Sequence, residues 1–132
     1  MPFINMNLTD AKKPQPVPEA TYLLTIEDAE DVIDEQSRHK TNIRIKVENA
    51  PADYPNPPAI FHTIWWPNDG DDPKKVNSKK LFAKAFFDAF EIPYSEEGFD
   101  LDDFLGKQAE IPVKVTQWGD REPRNELVLK PW

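Results

Sequence analysis

Apolar and polar residues alternate with a period of two in several short stretches of the chain. Between Ala20 and Glu27, Tyr22, Leu24 and Ile26 fall on one face and Thr21, Leu23 and Thr25 on the other, which predicts a first strand. Residues 41–48 alternate more cleanly, with Ile43, Ile45 and Val47 inward and Asn42, Arg44, Lys46 and Glu48 outward. A third strand over Ala59 to Trp66 turns Ile60, His62, Ile64 and Trp66 toward the core and Phe61, Thr63 and Trp65 away from it. Residues 107–118 place Ala109, Ile111, Val113 and Val115 on one face and Lys114, Thr116 and Trp118 on the other. Pro112 has no backbone donor and marks an edge or a bulge there. A Gly119-Asp120 turn leads into a last strand over about Arg124 to Lys130.

One segment switches to helical spacing. Asp72 can accept from the first free amides and Pro73 loses no bond at the first helical position, so a helix starts there and runs to about Phe90, before Pro93. Val76, Leu81, Phe82, Ala85, Phe86, Ala89 and Phe90 form its apolar side. Leu101 to Gly106 reads as one further helical turn closed by its glycine. Pro51, Pro55, Pro57 and Pro58 make residues 50–58 a loop, since no ladder tolerates that many missing donors. Residues 1–19, with Pro2, Pro14, Pro16 and Pro18, form an extended, loosely packed arm with an apolar contact through Phe3, Ile4 and Met6; residues 20–132 form the domain.

The chain has 132 residues, which fits one domain. Without cysteine it has no disulfide framework and no thiolate metal site. No apolar run approaches the length of a membrane span and no signal pattern opens the chain, so a cytoplasmic protein is expected. Sixteen basic against twenty-four acidic residues give a net charge of −8. The acids concentrate at 27–35, 69–72 and 96–103, whereas residues 38–47 and 73–87 hold bases and no acid. The run from Glu27 to Glu35 suits a solvated turn or strand end.

Three strands, a helix and two strands match the layout of a mainly β, five-stranded OB-fold, a Greek-key barrel with one helix between its third and fourth strands. Pro16-Val-Pro-Glu-Ala-Thr-Tyr22, the helix with Leu81 and Phe82, Asp102-Asp-Phe-Leu-Gly-Lys107 and Arg124-Asn-Glu126 carry a further likeness. In these residues the chain resembles a family of small bacteriophage OB-fold single-stranded DNA-binding proteins of replication and recombination modules. The resemblance covers most of the chain. It departs at Ala20, where the family usually has glycine, and at Lys130-Pro131-Trp132, where many phage DNA-binding proteins carry an acidic recruiting tail. The resemblance implies a single-stranded DNA-binding protein of low sequence preference in the cytoplasm of a bacterial host, with phage or host replication and recombination proteins as partners. A terminal Trp132 can serve as a small docking signal, and the arm can mediate self-association into a homo-oligomer.

Such binding needs aromatic platforms for bases and cations along the backbone. Arg44 and Lys46 of the second strand and Phe61 and Trp65 of the third form the first candidate surface. Lys114, Trp118, Arg121 and Arg124 form a second, around the last turn. The bland alternatives are aromatics packed under a loop and a solvated hairpin. Carboxylate clusters such as Asp28, Asp31 and Asp34, or Asp69, Asp71 and Asp72, would suit metal-dependent cleavage, and solvation and capping account for both. His39 falls in a charged loop and His62 is a hydrogen-bonded structural residue. No phosphate loop, nucleophile elbow or dinucleotide fingerprint is present, so the expectation is a non-enzyme without a cofactor. The alternative is an acidic OB-like protein-interaction module or nucleic-acid mimic.

Overall fold

A computed structural model describes residues 2–11 and 13–130; Trp132 lies outside the described residues. Five strands, β1 (Ala20–Ile33), β2 (His39–Val47), β3 (Ile60–Trp65), β4 (Gln108–Thr116) and β5 (Arg124–Leu127), form one antiparallel sheet. Its order is β3-β2-β1-β4-β5. Helix α1 (Pro73–Ala89) and a 3-10 turn (Leu101–Phe104) come between β3 and β4. The protein is thus mainly β, with a barrel-like arrangement that no ladder between β3 and β5 closes among the described residues.

The alternating faces position the core. Tyr22, Leu24, Ile26, Ile43, Ile45, Val47, Ile60, Ile64, Ile111 and Val113 are buried, and Phe86, Phe87, Phe90 and Phe104 fill the end that the helix covers. Asp72 caps α1 by accepting from the Lys75 amide at 2.7 Å. At the other end Glu91 adopts φ 55° and the Ile92 amide donates to Phe87 O at 2.8 Å, a Schellman-type stop ahead of Pro93. The helical face differs from expectation. Phe87 is buried and Phe82 is 54% exposed, because α1 presents its Ala83-Phe86-Phe87-Phe90 side to the sheet.

Three further expectations are corrected. The acidic run after Glu27 is a strand, since β1 continues to Ile33 and pairs with His39–Arg44 beyond a bulge at Glu27. β4 pairs with β1 only as far as Thr25, so carboxylates on this extension guard an edge that another chain would otherwise join. Pro112 lies in an inner strand: its carbonyl accepts from Val128 at 2.8 Å, but it has no N–H to return, and β5 pairing ends at Leu127. The arm makes its apolar contact through Val17, which is fully buried, whereas Phe3, Ile4, Met6 and Leu8 are all at least two-thirds exposed. Asn125 fixes Val17 by accepting from its amide and donating to its carbonyl, both at 2.9 Å.

Candidate nucleic-acid interface

The outward residues of β1, β2 and β3 stand in cross-strand rows. Register sets Asp28, Arg44 and Phe61 in one row, Glu30, Asn42 and Thr63 in the next, and Val32, Lys40 and Trp65 in the third. Phe61 is 70% and Trp65 40% exposed, so both aromatics lie on the outer face, as their parity predicts. Arg44 reaches Glu27 at 3.3 Å and Lys46 reaches Glu48 at 3.9 Å. Arg44 and Lys46 also line a groove against the proline loop, with Tyr54 and Asn56.

Two cations of the acid-free run 38–47 that were not among the candidate site residues, Arg38 and Lys40, stand over Trp65. The Arg38 guanidinium lies 5.0 Å and the Lys40 ammonium 5.2 Å from its ring centroid, within cation–π range. Lys40 was within reach of sequence reasoning, because the alternation of β2 extended one step back puts it outward with Asn42 and Arg44. Arg38 was not, because a turn places it. Asp34 accepts from the amides of Gln36 and Arg38, each at 2.9 Å, and from Arg38 Nε at 2.8 Å. The Arg38 amide first, and its guanidinium with it, hold the Asp34 carboxyl below its ordinary pKa. A charged acceptor therefore ties the β1–β2 turn that sets Arg38 against the indole.

The second set of candidates is divided. Lys114 joins Trp65, Thr63, Phe82 and Val128 along the groove at the open seam between β3 and β5. It also faces Glu126 at 4.0 Å, and Arg124 meets the same carboxylate at 3.3 Å. Trp118, 61% exposed, and Arg121 stand in the β4–β5 turn, where the Arg121 amide donates to Trp118 O at 3.0 Å. Lys40 and Arg121 have no carboxylate partner among the described residues.

The histidines differ from their predicted settings. His39 opens β2 rather than lying in a loop, and its Nε2 meets Asp31 at 2.8 Å. Asp31 also accepts from Thr41 at 2.8 Å, and Thr41 accepts from Trp66 Nε1 at 2.8 Å. These bonds fix the face of β3 opposite Trp65. His62 stacks on Phe86 at 4.9 Å, with no hydrogen bond to its ring among the described residues, and burial pushes its pKa down to about 4. Two members of the Asp69, Asp71 and Asp72 cluster are spent on structure: Asp71 accepts from the Asn68 amide and from Lys79, both at 2.8 Å, while Asp72 caps α1. No group of three or more metal-ligating side chains converges, and no helix is long and apolar enough to cross a membrane, among the described residues. No family model matches the chain, and no curated protein matches it significantly.

Proposed function

We propose that the chain is a non-enzymatic OB-type domain that binds single-stranded DNA with little sequence preference during phage replication or recombination. The sheet order, with β3 and β5 at the two ends of a curled five-stranded sheet, supports the fold part of this reading. One observation carries the functional part: an outward Trp65 flanked by Arg38 and Lys40, with Phe61 and Arg44 two cross-strand rows along the same face. A base stacks on the indole while the two cations meet the neighbouring phosphates, which requires no readout of base edges. Trp118, exposed at the β4–β5 turn with Arg121, is a second stacking candidate.

Anisotropy of a labelled oligo-dT, titrated with wild type and Trp65→Ala at low and moderate salt against a duplex competitor, tests the reading. Expected are preference for the single strand, weakening with salt, and a loss of about 1–3 kcal/mol in the variant. Trp65 stands on the outer face, so circular dichroism of the variant stays that of the wild type. Absence of binding at low salt refutes the proposal. It then favours the acidic interaction module, which the carboxylates beside Arg44, Lys46, Lys114 and Arg124 support.

A further inference from the structure

Away from the outer face of the sheet, the second half of α1 and residues 94–99 enclose a cavity of about 380 Å³. Small-molecule sites span about 300–1,000 Å³. Trp66, Phe87, Tyr94 and Phe99 supply the aromatic surface of this one. They hold one another in place: Phe99 stacks on Trp66 at 5.2 Å, and Phe87 meets Phe99 and Tyr94 edge-to-face at 4.8 and 5.7 Å. Tyr94 and Phe99 are nonetheless 47% and 39% exposed, so part of each ring is open to a further planar group. Trp66 follows Trp65 along the chain and takes the opposite side of the sheet, so the cavity and the Trp65 row are separate surfaces.

Charged groups line the same cavity without neutralising one another. Lys80 and Lys84, one turn apart on α1, come from its helical wall, and Glu96 and Glu97 from its loop wall. None of the four makes an ion pair among the described residues, whereas Lys75 and Lys79 of the same helix both reach Asp71. The loop wall is fixed. Ser95 and Gly98 exchange amide-to-carbonyl bonds at 2.9 and 3.2 Å, and the Glu97 amide donates to Ser95 Oγ at 3.2 Å, which sets both glutamates at the tip of a tight turn. Gly98 closes that turn at φ 134°, where a side chain would be strained. The Tyr94 hydroxyl donates to Asp88 at 3.0 Å and ties the loop to α1.

A ligand that satisfies both walls carries an anionic group for the lysines, N–H donors for the carboxylates and a flat body for the rings. We infer that the cavity binds a nucleoside monophosphate unit, with its base against Tyr94 and Phe99, its phosphate on Lys80 and Lys84, and the N–H groups of the base on Glu96 and Glu97. An ionised carboxylate only accepts, so guanine, with two adjacent N–H groups on its pairing edge, suits the loop wall best. Thymine, whose single N–H lies between two carbonyls, suits it least. A free nucleotide and the 5′ end of a strand offer the same chemistry. No residue is shared with the Trp65 row, so the inference stands or falls apart from the proposed single-strand binding.

Two-dimensional NMR of the isotope-labelled full chain, titrated with dGMP, dTMP and deoxyguanosine, tests it through the Trp66 indole N–H and the Gly98 amide. Expected are saturable shifts of both signals with dGMP. Deoxyguanosine lacks the phosphate and dTMP the paired donors, so each binds about tenfold more weakly. Lys80→Gln combined with Lys84→Gln abolishes the preference for dGMP over deoxyguanosine, and Glu96→Gln combined with Glu97→Gln the preference for dGMP over dTMP. All four side chains are exposed, so the rest of the spectrum stays that of the wild type. A 5′-phosphorylated dG-dT dinucleotide that binds more tightly than dGMP assigns the site to a strand end, and one that binds no more tightly assigns it to the free nucleotide. Equal affinity for dGMP and dTMP, or a preference over deoxyguanosine that survives the lysine substitutions, overturns the inference. So does the absence of a saturable shift with dGMP, which leaves the cavity to an aromatic side chain of a protein partner.

Discussion

Asn125→Ala isolates the bond between arm and domain. Asn125 is buried on β5, and its amide group closes a two-way pair with fully buried Val17 at 2.9 Å each way and a third bond to Lys114 O at 3.3 Å. Alanine leaves the Val17 N–H and C=O without partners, at about 1–3 kcal/mol for each unsatisfied group. An upper limit comes from the arm itself. If it peels away, the groups regain water and the loss is confined to the docking energy, including about 1.5–3 kcal/mol for burying Val17. The expected destabilisation is therefore about 3 kcal/mol. Urea unfolding followed by tryptophan fluorescence reads it as a lower midpoint, and hydrogen exchange reads it as lost protection at the Val17 amide. Asn125→Asp keeps the acceptor for Val17 N–H but aims a carboxylate at two carbonyls, so it destabilises at least as much at neutral pH. A midpoint unchanged to within about 0.5 kcal/mol, with the Val17 amide still protected, refutes the lock.

Glu126→Gln removes the carboxylate that both Lys114 and Arg124 face; single-strand affinity then rises and the slope of log K against log salt steepens by up to about 1.4, at about 0.7 for each freed cation. An unchanged slope removes both residues from the interface. The pKa of His62 is lowered to about 4 in the folded protein, against about 6.5 when unfolded, so the unfolded chain binds the extra proton between those values. Its stabilising contribution is complete above about pH 6.5 and is lost as pH falls toward about 4, by about 3 kcal/mol in all. Urea midpoints across that range show the decline in wild type and not in His62→Leu; Asp34 and Asp71, whose pKa values are lowered, add their own losses only at more acidic pH.

Strand periodicity was legible because it reports burial directly, and the fully buried residues of β2, of β3 and of β1 before its bulge fall on the predicted inward faces. Phase along α1 was less legible: Leu81, Phe82, Ala83, Phe86, Phe87 and Phe90 spread around so much of the helix that only contact with β3 and the 3-10 turn selects a face. Non-local partners were not legible, since neither Val17 nor Asn125 carries a local sign that one closes on the other. The acidic run misled for a related reason. Composition suited Glu27 to Glu35 to a solvated turn or strand end, but pairing sets Asp28 opposite Arg44 and Asp31 within reach of His39, and such cross-strand pairs favour the strand.

That pairing also changes what a net charge of −8 means for a polyanion. Along the outer face, the row of Asp28, Arg44 and Phe61 sets a carboxylate beside the cation, and the next row contributes Glu30. The row of Val32, Lys40 and Trp65 contributes no acid, and Arg38 joins it from the turn. Screening at physiological salt confines exposed charges to about 8 Å, so a phosphate near Trp65 responds to this row more than to carboxylates farther away. Repulsion falls along β3 from Phe61 toward Trp65, while the local cation density rises. Binding that begins at Trp65 and tolerates the acidic surface elsewhere is therefore consistent with the overall charge, and it makes Trp65 a more informative site of substitution than Phe61.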